Sequence, residues 1–232
     1  MDITRISLNG WNVRLTGGTL FKQENFMSEE KKTETPAVQP STFTPIDQHL
    51  FESRIVFVSG EVSSELAQKV NRQLLAMERA NPKAPIILWI DSPGGEVYSG
   101  FSIYDTAQFI EPRVITIAAG IAASMGSVIA LAAEKEDRLS FPNSKFLIHQ
   151  PLLGGVMRGQ ASDLEIHAKD IIELKHKMHR MYAERTGGTA DRFAELMDRD
   201  RWIDPKEAVE LGLISKIIKN RKEIEAVVKR GA

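Results

Sequence analysis

Cysteine is absent from the chain. That excludes disulfides, thiolate metal centres and a cysteine nucleophile. A reducing, cytoplasmic location is compatible with this and is the expectation. An excess of charge of one sign is also missing, since the formal net charge is -1 over 232 residues. Bulk attraction to nucleic acid or to an anionic membrane is thereby set aside. The start of the chain lacks a basic segment followed by an apolar core, so no secretory signal is expected. One uncharged run, residues 114–133, has the length of a membrane span. It is mostly Ala, Gly, Ser and Thr, with Gly120 and Gly126 inside it, and reads as buried strand, turn and buried helix. What is present, 42% apolar and 26% charged residues, suits one sizeable soluble domain with tails.

Residues 1–44 read as a poorly structured extension. Ser28 to Ser41 is charged, contains Pro36 and Pro40, and has almost no large apolar residue to offset its ordering entropy. Ile3 to Phe26 shows scattered apolar residues and a Gly17-Gly18 turn without a sustained period, and Met27 is an alternative start. The ordered domain spans about 45–220. Residues 54–59 form a strand closed by Gly60, and Ser63 or Ser64 caps a helix with Leu66, Val70, Leu74, Leu75 and Met77 on one face. Residues 86–90 are a second strand and Val97 to Ile110 a helix. Residues 114–118 are a third strand, followed by the Ser124 turn and a helix to about Glu134. This alternation implies right-handed βαβ units and a largely parallel sheet. Short strands follow at 137–142 and 145–149. Ala161 to Arg185 is a long polar helix, stopped by Gly187-Gly188, whose stripe of Leu164, Ala168, Ile171, Met178 and Tyr182 suits packing beside the domain or on another subunit. Asp204, Pro205 and Glu207 predict a capping box, Gly212 a stop, and 213–218 a last strand. Residues 221–232 read as a charged tail or a frayed helix.

Chemistry is expected where parallel strands end. Ala122-Ala123-Ser124-Met125-Gly126 is one methyl away from the Gly-x-Ser-x-Gly elbow, which exposes a serine oxygen on a sharp strand-to-helix turn. The positive end of the following helix would stabilise negative charge beside that oxygen. Asp91-Ser92-Pro93-Gly94-Gly95 follows the second strand and can leave a main-chain N–H open. The Met125 amide is a second candidate donor, and two donors make an oxyanion hole. His149 follows a short strand that Pro151 stops, so its imidazole is either a base for the Ser124 proton or a core histidine satisfied by a carbonyl. An orienting carboxylate is expected from Asp198-Arg199-Asp200-Arg201-Trp202, pinned by its Trp. Glu173, His176 and His179 have helical spacing that could touch a metal, but nothing supplies the remaining ligands, so no metal site is expected.

These motifs resemble the proteolytic subunit family of the ATP-dependent Clp protease. The resemblance covers roughly residues 50–220 and rests on six stretches besides the serine turn. They are Asp91-Ser92-Pro93-Gly94-Gly95, Ser102-Ile103-Tyr104-Asp105-Thr106, Phe141-Pro142-Asn143-Ser144, Ile148-His149-Gln150-Pro151, Gly159 to Ala168, and Arg199-Asp200-Arg201-Trp202. It implies an α/β spiral of βαβ units, of the kind shared with crotonases, with a protruding handle helix at about 161–186. It implies Ser124 as nucleophile, His149 as base, Asp200 rather than Asp198 as third member, and the amides of Gly95 and Met125 as oxyanion donors. It further implies a serine endopeptidase acting on unfolded polypeptides inside two stacked heptameric rings of the same chain. No cofactor is implied for the chain itself; ATP is used by a partner unfoldase of the AAA+ type. The chain departs from the family in three places. Asp91 stands where Asn is usual, Leu152 to Arg158 is longer than the common form, and no familiar axial-loop sequence precedes Phe51. Two other readings stand beside this one: a non-catalytic or conditionally active ring subunit scaffolding a paralogue, and acyl-CoA chemistry on the same spiral. The latter has no use for a nucleophilic serine with its base.

Overall fold

The computed structural model describes residues 6–8, 11–13, 44–152 and 160–230. The chain divides into two units, Met1–Thr42 and Phe43–Ala232. In the first, β1 (Ile6–Leu8) and β2 (Trp11–Val13) pair antiparallel. The Gly17-Gly18 turn, the charged stretch 28–41, Met27 and the lengthened loop after Leu152 lie outside the described residues.

The second unit is an α/β fold. It opens on α1 (Pro45–Glu52), where Thr44 and Asp47 make a reciprocal capping box and Pro45 takes the first turn. Then come β3 (Ile55–Ser59), α2 (Ser64–Ala80), β4 (Ile86–Ser92), α3 (Val97–Phe109), β5 (Val114–Ala123) and α4 (Met125–Ala130). Next are β6 (Arg138–Ser140), β7 (Lys145–Ile148), α5 (Ala161–Thr186) and α6 (Ala190–Leu196). The unit closes with β8 (Arg201–Ile203), α7 (Pro205–Glu210), β9 (Lys216–Ile217) and α8 (Arg221–Lys229). The main sheet runs β3-β4-β5-β6-β9 in parallel, while β7 pairs with the second half of β5 and β8 runs antiparallel to β7.

The central strands are apolar on both sides because both faces are covered. One face packs Ile86, Leu88 and Ile90 with Val70, Leu74 and Met77 of α2, Phe101 and Tyr104 of α3, and Met178 and Tyr182 of α5. The opposite face gathers Ile87, Ile115, Ile117 and Leu139 against Ile224 and Val227 of α8. Residues 221–229 are thus a helix capped by Asn220, with an apolar side that completes this second layer. Asp137 and Arg113 hold its far end. Arg113 donates to the Val227 carbonyl at 2.6 Å, and Arg230 pairs with Asp137.

Several expectations need correction. Leu75 points outward, 45% exposed, and Ala67 takes its place on the buried face of α2. The last helical stretch after Ser124 is short, ending at Ala130, and the third strand runs past Ala118 through Gly120 to Ala123. The predicted capping box at α7 is half made. Asp204 accepts from the amides of Lys206 and Glu207, but the Glu207 carboxylate is taken by Arg201. The last strand shrinks to Lys216–Ile217. The polar helix α5 is divided: residues 162–170 are exposed, whereas Met178, Tyr182 and Ala183 enter the core. No helix among the described residues is long and apolar enough to cross a membrane.

Candidate active site

The site is built where β4, β5 and β7 end. Between β4 and β5 the register slips: Ile90 faces Ala118, but Ser92 faces Ala122. The extra residues form a bulge at Gly120, whose φ is +147°. Asp91 fills it, accepting the Ile121 amide at 3.0 Å. A Cβ at residue 120 would meet that carboxylate at 2.5 Å. The Asp91 side chain is thus engaged by a main-chain donor of the neighbouring strand.

Ser124 follows with φ 51° and ψ -121°, a conformation that a side-chain-bearing residue rarely adopts. Such a strained strand-to-helix turn is the backbone geometry that a nucleophile elbow requires, and it persists only where its surroundings hold it. The Ser124 amide donates to the Leu147 carbonyl at 2.9 Å, and the Ser127 amide donates to the Ser124 carbonyl at 3.0 Å. Gly94 approaches so closely that a Cβ there would sit 2.6 Å from the Ser124 Cβ.

The Asp91–Gly95 turn is fixed by its own polar groups. Ser92 Oγ donates to Gly60 O at 2.6 Å and accepts the Gly94 amide at 3.1 Å. Val62 brackets the glycines, its N–H bonding to Gly94 O and its carbonyl accepting from Glu96 N, both at 2.7 Å. The amide between them, that of Gly95, has no acceptor among the described residues. The same holds for Met125, the first residue of α4. With six residues, α4 offers free N–H groups rather than the long dipole expected from the sequence.

His149 leaves β7 two residues after Leu147. The antiparallel register Phe146 to Ile203, Leu147 to Trp202, Ile148 to Arg201 puts Asp200 opposite His149. His149 Nδ1 is 3.2 Å from Asp200 Oδ1. The pair has ion-pair distance without hydrogen-bond alignment, since the buried Nδ1 finds no hydrogen-bond partner. The Asp198 carboxylate lies instead 3.9 Å from Arg199 Nε, while its main-chain carbonyl accepts from Gln150 Nε2 at 2.7 Å. The Gln150 amide bonds Met197 O at 2.8 Å, tying the His149 strand to the segment that carries Asp200. Ser124 Oγ makes no hydrogen bond among the described residues, to His149 or to any other group.

Behind the elbow lies a hydroxyl that the sequence reading passed over. Ser127 Oγ reaches the carbonyls of Ser124 at 2.7 Å and Leu147 at 3.1 Å, and the Tyr182 hydroxyl at 2.6 Å. Burial pushes the Tyr182 phenol well above its ordinary value, so it stays protonated. The only legible signal was a hydroxyl one helical turn after the serine. On α5, His179 is 3% exposed and its Nε2 is unpaired among the described residues; burial, then Lys175 and His176, lower its pKa. Glu173, His176 and His179 do not converge as a metal-binding group among the described residues.

Fold and site together define an α/β protein with the parts of an acyl-transfer centre: a serine elbow, an imidazole beside a carboxylate, and two unpaired amides. A family model described as Clp protease matches residues 39–221. The chain is similar to ATP-dependent Clp protease proteolytic subunit 2 of Treponema denticola, 44% identical over 200 residues covering 86% of this chain and 96% of that protein. It is also similar to ATP-dependent Clp protease proteolytic subunit 3 of Rhizobium meliloti, 44% identical over 196 residues covering 84% and 96%. The chain belongs to the Clp protease family.

Proposed function

We propose that this chain is a serine endopeptidase that cleaves unfolded polypeptides inside a chamber of its own copies. The observation that carries the reading is strand register: β5 pairs Ala123 with Leu147, whose carbonyl takes the Ser124 amide, and the β7–β8 pairing, continued one step past Ile148 and Arg201, brings Asp200 to His149. Ser124 Oγ attacks the peptide carbonyl while the His149 imidazole takes its proton. The negative oxygen that forms is held by the Gly95 and Met125 amides, each worth about 3 kcal/mol in a preorganised site. Imidazolium returns the proton to the departing amine, leaving an acyl-serine. Water, deprotonated by His149, then releases the acid and restores the hydroxyl. Asp200 orients the ring and stabilises its cationic form.

The relatives' names place them in an ATP-dependent protease. By extension, this chain receives polypeptide from an AAA+ unfoldase, assembles as two stacked heptameric rings through α5, and works in the cytoplasm without a cofactor of its own. A second reading, a non-catalytic or conditionally active ring subunit that scaffolds a paralogous proteolytic chain, is favoured by one observation of the structure. Ser124 Oγ and His149 are not joined in the single chain. Catalytic contacts of this kind often tighten only with substrate or assembly. The relatives' names, subunits 2 and 3, also suit a protease with more than one proteolytic chain.

Fluorophosphonate labelling and native mass of one purified sample decide between the readings. Labelling of the homo-oligomer at Ser124, lost in Ser124→Ala with the assembly intact, supports the first. Labelling that requires a second proteolytic chain supports the other. No labelling under either condition would remove the serine mechanism.

A further inference from the structure

We infer that Tyr182 is a positioning residue for the candidate nucleophile, acting through the hydroxyl of Ser127. The inference rests on Ser124 being the nucleophile. It begins with a proton count. Ser127 Oγ has one hydrogen and three oxygen neighbours: Ser124 O at 2.7 Å, Leu147 O at 3.1 Å and Tyr182 Oη at 2.6 Å. Two of these are carbonyls, which only accept. The Ser127 proton is therefore committed to the carbonyl pair, and the bond to Tyr182 must be supplied by the phenol. Tyr182 is the donor, and its donation fixes the rotation of the Ser127 hydroxyl.

The two carbonyls matter because of where they sit. One belongs to Ser124 itself. The other belongs to Leu147, which also accepts the Ser124 amide at 2.9 Å and lies two residues before His149. Ser127 thus clamps the residue bearing the hydroxyl to the strand bearing the imidazole. A residue at φ 51° keeps that conformation only when its neighbours over-determine it.

Tyr182 is well placed to anchor the clamp. It is 0% exposed, and its ring packs on Phe193 at 5.4 Å between centroids. Its carbonyl accepts from Thr186 Oγ1 at 2.7 Å near the end of α5. The buried end of the long helix is therefore wired by two hydroxyls to the turn that presents the candidate nucleophile. Neither side chain reaches a substrate; both act on how accurately Ser124 faces His149.

The test is steady-state cleavage of a fluorogenic peptide, with fluorophosphonate labelling rate, native mass and melting temperature on the same samples. In Tyr182→Phe, kcat and the labelling rate should fall about tenfold, the order expected for a slightly misplaced nucleophile, while KM stays within about twofold. Ser127→Ala should fall comparably. The double variant should fall no further than Ser127→Ala alone, because both changes remove one device. If Ser127→Ala alone folds poorly because it strands the Tyr182 hydroxyl, the double variant, which leaves no orphaned hydroxyl, carries the same readout. A wild-type chain that never labels overturns the serine reading and this role with it. A wild type that labels while all three variants keep its kcat, or variants whose losses multiply independently, overturns the positioning role alone.

Discussion

His149 and Asp200 stand opposite each other one step beyond the last pair of the antiparallel β7–β8 ladder, with Nδ1 and Oδ1 3.2 Å apart. The two side chains differ in surroundings: His149 is 12% exposed and Asp200 65%. A carboxylate this open to water is weakly desolvated, so its Coulombic grip on the ring is screened. Register, rather than burial, selects it. A slip of one residue would bring Arg199 or Arg201 opposite the imidazole and face the ring with a cation.

Asp200→Asn should therefore leave the β8 pairing and the melting temperature nearly unchanged while lowering kcat. Triad carboxamides elsewhere lose about 10⁴-fold through tautomer reversal, and the exposed position here should bring a smaller loss, about 10²-fold or more. Asp198→Asn, whose side chain faces no imidazole, should retain activity within about twofold. Peptide cleavage by the two variants, compared at one pH, checks this. Equal losses in both would remove Asp200 from the site.

Gly94→Ala tests the close approach behind the serine. Its φ of +94° disfavours any Cβ, and that Cβ would lie 2.6 Å from the Ser124 Cβ and 2.8 Å from the Ala123 carbonyl. Backbone strain alone costs about 1–3 kcal/mol. Since the contact falls on the elbow, kcat should drop by more than the loss in melting temperature suggests. A variant that is destabilised yet fully active at low temperature would show that the glycine serves folding only.

The βα alternation was legible because apolar strands and capped helices carry their own periodicity. Ser63, Asp204 and Gly187 do at the helix ends what local chemistry dictates. Ser124 and His149 were also legible, since each follows an apolar run at the side where parallel strands end. Asp200 was separable from Asp198 only through the family resemblance, because β8 is three residues long and neither alternates nor breaks with Gly or Pro. The bulge at Gly120 was hidden for another reason: its partner is Asp91, a side chain in a different strand. The Thr44-Pro45-Ile46-Asp47 cap of α1 is readable in the sequence, although the start of the ordered domain at about 45 carries no helix in that reading. Likewise α8 looked like a charged tail, because only Ile224, Val227 and Val228 among its residues meet the sheet.

His179 gives a pH prediction. Burial, the largest cause, holds its folded-state pKa below the ordinary histidine value. The unfolded chain therefore binds a proton that the folded chain resists. Stability from the neutral ring is full above about pH 7 and is lost as pH falls through the unfolded value toward the lowered one. His179→Leu removes both the titration and an unpaired buried nitrogen. Its melting temperature should match or exceed wild type near pH 7.5 and fall less steeply toward pH 5, the difference isolating this group from other carboxylates and histidines. Parallel melting curves for the two proteins would show that another group carries the acid sensitivity.

The Ser127–Tyr182 pair also makes a prediction about stability, with a sign that separates it from simple packing. Ser127→Ala removes the acceptor of the Tyr182 phenol inside a core where that side chain is 0% exposed. A buried hydroxyl left without a partner costs about 1–3 kcal/mol. Tyr182→Phe is milder, because Ser127 Oγ keeps the carbonyls of Ser124 and Leu147 as acceptors for its proton. The double variant has no stranded hydroxyl and should recover most of what Ser127→Ala loses, giving a coupling energy of about 1 kcal/mol or more in a denaturant cycle. Packing alone would predict the reverse, with two smaller side chains adding their losses. Recovery of stability in the double variant without recovery of kcat is the combined outcome expected of a hydroxyl pair whose contribution is to placement of Ser124.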